Sequence, residues 1–151
     1  MWKLNQFNYS RRLSDTIRVG NILLGGTQPV RVQSMANTDT NDIANSVAQG
    51  KRIVEAGGEL VRYTTQGIRE AESLKLIHDG LREQGCNVPL VADIHFNANA
   101  ADVAAKYVEK VRINPGNYTL QLTIEDLKSQ KVGQATVEMT IRGSEKEKPE
   151  R

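Results

Sequence analysis

Two short segments of the chain carry polar side chains whose types and spacing suit anion binding and proton transfer. Asp93 and His95 lie two residues apart at the end of the apolar run 89–94, and Arg112 and Asn114 lie two apart at the end of a later run. Residues two apart on a strand project from the same face of a sheet. These four side chains therefore predict all or half of a site that binds an anion or moves a proton.

The elements that position these residues follow a repeat. Four β-branched runs end in polar residues near Ser34, Thr64, Asp93 and Asn114, and this spacing of roughly 20–30 residues is typical of βα units. Ahead of them, residues 17–24 predict a hairpin that turns at Gly20 and covers the N-terminal end of the sheet.

Helical patterns separate the predicted strands. The first helix is predicted to be capped by Asp39 or Thr40 and to end at Gly57, and the second to end at Gly85. The apolar positions are Ile43, Ala44, Val47 and Val54 in the first helix, Ala71, Leu74, Ile77 and Leu81 in the second, and Ala100, Val103, Ala104 and Tyr107 in the third.

The repeat predicts an α/β fold with parallel strands whose C-terminal ends build the site. A closed TIM-type (β/α)₈ barrel typically needs about 250 residues, whereas this chain has 151 and four strand patterns before residue 117. We therefore expect about the first half of such a barrel over residues 1–118, with two open edges. Residues 119–151 are expected to form an unassigned tail, with one strand over 136–141 and a charged end over 143–151.

Composition excludes several classes of protein. The net charge of +2 comes without a basic stripe, which disfavours a nucleic-acid partner. No apolar run approaches the roughly 18–20 residues of a membrane span, and no signal-peptide core is found. The single cysteine, Cys86, permits no internal disulfide and is too few for a metal cluster. We expect a cytoplasmic protein with no membrane partner and no metal ligands in this chain.

Three segments closely resemble the N-terminal barrel domain of the 4-hydroxy-3-methylbut-2-enyl diphosphate synthase family. They are PVRVQSMANT at 29–38, VPLVADIHF at 88–96 and VRINPGN at 111–117. The segments FNYSRR at 7–12 and GGELVRYTTQG at 57–67 look most like the longer, three-domain form of Bacteroidetes-type bacteria and plants. The resemblance covers roughly residues 7–118.

This resemblance implies an oxidoreductase of the non-mevalonate isoprenoid pathway that reductively opens 2-C-methyl-D-erythritol 2,4-cyclodiphosphate. It also implies a [4Fe-4S] cluster in a C-terminal domain, whose ligands are absent from this chain, and electrons from ferredoxin or flavodoxin. In the family the barrel of one subunit closes against the cluster domain of its partner, so a homo-oligomer is expected and the chain alone is expected to be inactive. The implied substrate-binding residues are Arg62, Arg112, Asn114 and Asn117, and the implied catalytic residues are His95 and Asp93.

Other interpretations of the same residues stay open. Arg62 would pair with Glu59 or Asp93 in a purely structural arrangement, Asp93 and His95 would satisfy each other, and Asn117 would serve in a turn. Two other functions are a non-catalytic half-barrel that binds an anion or self-assembles, and a pterin-binding barrel synthase. Three further polar residues of the first motif are Gln33, Ser34 and Asn37. Each would either contact the substrate or only form hydrogen bonds with the backbone of the loop.

Overall fold

The computed structural model describes residues 13–95, 97–113, 116–126 and 131–141, and the side chains of 116–126 and 131–141 lie outside this description. Eight strands and three helices follow one another in these residues. In chain order they are β1 (Ile17–Val19), β2 (Ile22–Leu24), β3 (Gln33–Met35), α1 (Ile43–Glu55), β4 (Leu60–Thr65), α2 (Ile68–Glu83), β5 (Leu90–Ile94), α3 (Asn99–Ala104), β6 (Lys110–Ile113), β7 (Gly116–Asp126) and β8 (Lys131–Ile141).

Strands β3, β4, β5 and β6 form one parallel sheet in the order of the chain, and a helix follows each of the first three. The sheet registers place Ser34 beside Val61, Thr64 beside Asp93, and Asp93 beside Arg112. The predicted α/β fold, a partial TIM-type barrel with an N-terminal hairpin, is confirmed.

The core lies between this sheet and the helices. All four predicted apolar positions of α2 are fully buried, and they pack on Val61 and Tyr63 of β4 and on Ala92 of β5. Burial of a Leu or Ile side chain contributes roughly 1.5–3 kcal/mol. The phenol of Tyr63 crosses to α1 and donates to the carbonyl of Ser46 at 2.9 Å, so the one polar atom that Tyr63 buries is satisfied.

The predicted hairpin and its position are both confirmed. Strands β1 and β2 pair in antiparallel fashion around Gly20, whose φ of +57° suits a glycine. Buried Val19 packs with Leu60 and Val91, which lie near the N-terminal ends of β4 and β5. The hairpin therefore covers the end of the sheet that lies away from the predicted site.

The predicted cap of α1 is wrong. The helix begins after Asp42, whose carboxylate accepts from the backbone N–H of Asn45 at 3.2 Å. Thr40 is instead buried and donates its hydroxyl to the carbonyl of Thr64 at 2.6 Å. Asp39 accepts from the N–H of Asn41 in a tight turn. Both predicted candidates are thus engaged elsewhere, and Asp42, which was not predicted, is the cap.

The predicted apolar face of α1 also needs one correction. Ala44 is exposed, and Ser46, Val47 and Gly50 are the buried residues. A Cβ atom at Gly50 would lie 2.4 Å from the hydroxyl oxygen of Tyr63. The helix can approach β4 this closely because glycine has no side chain.

Strands β7 and β8 form a separate two-stranded antiparallel sheet, with register from Gly116 opposite Ile141 to Asp126 opposite Lys131. The strand predicted over 136–141 lies within β8. The charged end at 143–151 falls outside the described residues, and the division of the chain at residue 118 stays a prediction. Among the described helices, none has the length and apolar character needed to cross a bilayer.

Candidate anion-binding site

Asp93 is the centre of the candidate site. It lies near the C-terminal end of β5 and is fully buried, although aspartate is rarely buried without a partner. Alternation along the strands places Ala92 and Ile94 on the helix-facing side of the sheet and Asp93 on the opposite side, which is the inner side of the barrel. In register, Asp93 lies between Thr64 and Arg112, both on that same side.

Both oxygens of the Asp93 carboxylate accept hydrogen bonds from cationic or imidazole groups. Oδ1 accepts from Nη1 of Arg112 at 2.6 Å. Oδ2 accepts from Nη2 of Arg62 and from Nε2 of His95, the latter at 2.9 Å. The structure thus brings together four of the six predicted site residues, with Arg62 from the middle of β4, Asp93 and His95 from the end of β5, and Arg112 from β6.

These contacts fix the ionisation of Asp93. Burial by itself raises the pKa of the carboxyl, but the hydrogen bonds from Arg62, Arg112 and His95 outweigh it and lower the pKa to about 2. An ionised carboxylate only accepts, so the proton in the contact with His95 resides on Nε2. A carboxylate with so low a pKa is a poor proton acceptor near neutral pH. The arrangement therefore favours Asp93 as the group that orients its three neighbours.

His95 is held from a second direction. Its backbone N–H donates to the carbonyl of Thr65 at 2.9 Å, which continues the pairing of the β4 and β5 ends. The imidazole is 29% exposed, so one side of the ring faces solvent while Nε2 contacts the buried carboxylate. Backbone and side-chain contacts together hold the ring beside Asp93.

The charge of the described cluster is positive. Two guanidinium groups, Arg62 and Arg112, oppose the single carboxylate of Asp93. The Arg112 side chain is 44% exposed and the Arg62 side chain 23%, so a ligand in solvent can reach both. A planar guanidinium held in place by a carboxylate still presents further N–H groups to a second anion. This geometry suits a phosphate group at the C-terminal ends of the strands.

The structure does not describe the side chains of the other two predicted substrate-binding residues, Asn114 and Asn117. Asn114 lies outside the described residues, and Asn117 is known only as a backbone position of β7 opposite Thr140. Their roles remain predictions.

Three motif residues next to the site are also placed. Gln33 and Ser34 are exposed on β3. The loop backbone is satisfied by Gln49, whose side-chain oxygen accepts from the N–H groups of Asn37 and Thr38, while the side-chain oxygen of Asn37 accepts from the amide nitrogen of Gln49. Asn37 therefore fastens the loop after β3 to α1.

The pairing of Arg62 with Glu59, one of the open alternatives, is wrong. Glu59 binds Arg31 at 2.7 Å and accepts from the backbone N–H of Val32. The other alternative, Arg62 with Asp93, is what the structure contains. Within the described residues, Nε of Arg62 is buried without a hydrogen-bond partner. A buried polar atom without a hydrogen-bond partner costs folding free energy, and such atoms are rare in native proteins.

Sequence reasoning missed Thr64 and Met35, which share the inner side of the sheet with the cluster. Thr64 lies beside Asp93 in register and Met35 lies beside Arg62. Period-two alternation from Arg62 identifies Thr64, but the register of β3 against β4 was needed to place Met35.

The described residues do not fit an iron–sulfur cluster. They contain no group of three or more His, Cys, Asp or Glu side chains that would hold a metal ion. Cys86 lies between α2 and β5, at the N-terminal end of the strands, whereas Asp93 lies toward their C-terminal end. The single thiol of the chain is thus at the wrong end of the sheet for chemistry beside Asp93.

A family model described as the GcpE TIM-barrel domain matches residues 14–144, a span that includes β7 and β8. The chain is 62% identical over 115 residues to the 4-hydroxy-3-methylbut-2-en-1-yl diphosphate synthase (flavodoxin) of Phocaeicola vulgatus, covering 76% of this chain and 19% of that protein. The enzymes of the same name from Parabacteroides distasonis and Porphyromonas gingivalis are 58% and 52% identical over 112 and 115 residues. Those alignments cover 74% and 76% of this chain and 18% and 20% of the relatives. The chain spans about a fifth of the length of these relatives.

Proposed function

The chain belongs to the GcpE TIM-barrel family, and from that membership we propose that it is the substrate-binding part of a 4-hydroxy-3-methylbut-2-en-1-yl diphosphate synthase. The proposed substrate is 2-C-methyl-D-erythritol 2,4-cyclodiphosphate, which the whole enzyme opens reductively. The observation that carries this proposal is the pair of arginines, Arg62 and Arg112, held by one buried carboxylate at the strand ends. The family match favours this function over a non-catalytic module and over a pterin-binding synthase.

The proposed ligand contact is electrostatic. A cyclic diphosphate carries two negative charges, and Arg62 and Arg112 supply guanidinium groups suited to phosphate oxygens. Each charge-assisted hydrogen bond contributes roughly 1.5–3 kcal/mol. Asn114 and Asn117 are proposed to add amide donors from the segment after β6. Asp93 stays ionised while the ligand binds, because its pKa is about 2.

We assign different roles to the two residues expected to be catalytic. Asp93 is a positioning residue, since both its oxygens are already engaged by Arg112, Arg62 and His95. His95 is proposed to donate a hydrogen bond from Nδ1 to an oxygen of the substrate, in the imidazolium form whose Nε2–H is donated to Asp93, and to stabilise charge there during ring opening. Elimination of water requires a proton at the leaving oxygen, and an imidazole at this position is suited to supply it.

The remaining machinery is proposed to come from outside these residues. A [4Fe-4S] cluster would supply electrons received from flavodoxin or ferredoxin, and we propose that a cluster domain or a partner subunit holds it, because this chain has one cysteine. The chain alone is therefore proposed to be inactive in reduction. A homo-oligomer is proposed because the family site is completed across subunits. A cytoplasmic location is in keeping with the free thiol of Cys86.

Isothermal titration of the purified chain tests the ligand class. We expect heat of binding with 2-C-methyl-D-erythritol 2,4-cyclodiphosphate and none with a pterin at the same concentration. Binding of the pterin alone would overturn the proposed function in favour of a pterin-dependent synthase. Binding of neither ligand by a folded chain would also count against the proposal.

A further inference from the structure

Strand β4 extends past the end of its neighbour β3 on the side of the sheet that carries the candidate site. The last register pair of the two strands joins Met35 to Arg62, whereas β4 continues to Thr65. In a parallel pair, alternate residues of a strand direct their backbone groups to the same neighbour. Arg62 faces β3, because its carbonyl accepts from the N–H of Ala36 at 2.8 Å, and Thr64 faces the same way. The carbonyl of Thr64 therefore lies beyond the last residue of β3.

The hydroxyl of Thr40 supplies the donor for this carbonyl. Thr40 lies in the loop between β3 and α1 and is only 3% exposed. Its Oγ1 donates to the carbonyl of Thr64 at 2.6 Å. A side chain thus makes the bond that the backbone of a longer β3 would make, and it extends the pairing of β4 toward the site end of the sheet.

The loop that carries Thr40 is itself held by both helices that pack beside it. The side chain of Asn41 donates to the carboxylate of Glu70 at 2.8 Å and accepts from the hydroxyl of Ser73 at 3.0 Å, and both partners lie on α2. The carbonyl of the residue before Thr40 accepts from the hydroxyl of Ser46 on α1 at 3.0 Å. These contacts on each side of Thr40 fix its position against β4.

The opposite backbone edge of the β4 end holds His95. The carbonyl of Thr65 accepts from the N–H of His95 at 2.9 Å. The His95 imidazole and the Arg62 guanidinium both donate to the buried carboxylate of the site. The carbonyl of Thr64, which Thr40 holds, therefore lies between the two points of β4 that fix these site residues.

We propose that Thr40 is a positioning residue of the site, whose hydroxyl fixes the end of β4 so that His95 and Arg62 keep the geometry that a diphosphate requires. This inference rests on the proposed function for its ligand. Thr40 acts through the carbonyl of Thr64 and not by contact with the ligand. The proposal also accounts for a threonine that is buried in this loop although it does not cap the helix that follows.

Hydrogen exchange and isothermal titration of Thr40→Val test this role, because valine keeps the shape of the side chain and removes the hydroxyl. We expect the His95 amide to exchange at least about tenfold faster, since its acceptor lies on the loosened end of β4. The Val61 amide donates to Pro89 at the opposite end of the same strand pair and should keep its exchange rate. Affinity for 2-C-methyl-D-erythritol 2,4-cyclodiphosphate should fall about three- to tenfold.

Two further variants separate the hydrogen bond from packing and from general effects on the loop. Thr40→Ser keeps the hydroxyl and should restore most of the His95 protection and of the affinity, which a role of the methyl group alone would not produce. Thr38→Val is the matched control. It removes a hydroxyl from the same loop, but that hydroxyl bonds to Ser46 on α1 at 2.9 Å and not to β4. Thr38→Val should leave the His95 exchange and the affinity unchanged.

Equal acceleration at His95 and Val61 in Thr40→Val would show a loss of overall stability alone and would overturn the proposal. Faster exchange at His95 with unchanged affinity would overturn it too, because the ligand would then not depend on this geometry. If the unchanged chain binds no cyclodiphosphate, the proposed function fails, whereas exchange at His95 still decides whether Thr40 fixes the end of β4.

If Thr40→Val fails to fold by circular dichroism, Asn41→Ala decides. It releases the loop from α2 and leaves the Thr40 hydroxyl in place. Faster exchange at His95 than at Val61 is then expected, and unchanged exchange at His95 would refute the positioning role.

Discussion

Nη1 of Arg112 donates to Oδ1 of Asp93 at 2.6 Å, across the register pair that joins the ends of β6 and β5. The carboxylate is fully buried, whereas the arginine side chain is 44% exposed. One partner thus anchors the pair inside the sheet, and the other extends its charge toward solvent. An arginine held in this way is oriented before a ligand arrives, which reduces the entropic cost of binding.

Replacement of Asp93 should cost stability because it breaks this anchor. In Asp93→Asn, the amide nitrogen faces cationic donors and the side chain loses its charge, so Arg62, Arg112 and His95 lose acceptor strength. We expect the free energy of unfolding to fall by about 1–3 kcal/mol, measured by urea denaturation. Asp102→Asn, at an exposed position on α3, is the control and should change stability by less than about 0.5 kcal/mol. Equal effects of the two substitutions would count against the anchoring role.

The same carboxylate should make stability depend on pH in acid. Its pKa is lowered from 3.8 to about 2 in the folded chain, so its contribution is fully present above pH 3.8 and is lost as the pH falls toward 2. The size of this contribution is about 2 kcal/mol. Urea titrations of the unchanged chain and of Asp93→Asn should therefore show a gap in stability near pH 5 that narrows by about pH 2.5. A gap of constant size across that range would refute the assigned pKa.

Gly50→Ala should destabilise the contact between α1 and β4. The added Cβ would lie 2.4 Å from the hydroxyl oxygen of Tyr63, whose proton is donated to Ser46. We expect a loss of roughly 1–3 kcal/mol from overpacking, even though alanine favours helix. Lys51→Ala, at an exposed position of the same helix, is the matched control and should be neutral in thermal melting. A stabilised Gly50→Ala chain would show that α1 can move away from Tyr63 at no cost.

His95→Ala should affect binding less than the loss of an arginine. The imidazole contributes one hydrogen bond to Asp93 and a partly exposed ring, whereas each arginine contributes a full charge. We expect a fall of about three- to tenfold in affinity for the cyclodiphosphate, measured by isothermal titration. In the complete enzyme, the same substitution should lower turnover by a larger factor, because a proton donor matters most in the transition state. An equal effect on binding and turnover would leave His95 with a binding role alone.

Much of the site was predictable because period-two alternation and the parallel order of the strands restrict where polar side chains can lie. Asp93 with His95, and Arg112 with Asn114, were expected on one side of their strand ends, whereas Arg62 was expected at the site from the family resemblance. The structure brings Asp93 together with His95, Arg62 and Arg112. The partner of Arg62 was not predictable, because the carboxylates of Glu59 and Asp93 were both candidates. Only the sheet register selects Asp93 over Glu59.

The start of α1 shows a second limit. Asp39, Thr40 and Asp42 all have side chains that cap helices, and local sequence does not rank them. The hydroxyl of Thr40 is used by the carbonyl of Thr64, which lies 24 residues away in the chain, and this long-range bond leaves the cap to Asp42. A long-range contact also explains why Ala44 is exposed. The approach of Gly50 to Tyr63 decides which face of α1 is buried, and Ala44 does not lie on that face.

The most direct test of the account is the affinity of the chain for 2-C-methyl-D-erythritol 2,4-cyclodiphosphate in Arg112 variants, measured by isothermal titration. Arg112→Ala should weaken binding about ten- to hundredfold, and Arg112→Lys should recover only part of the loss because the bidentate fork is absent. Arg52→Ala removes the same charge from an exposed position in the last turn of α1 and should leave affinity unchanged. If Arg112→Ala folds normally and binds as tightly as the unchanged chain, the cluster around Asp93 is structural and the proposed diphosphate site is wrong.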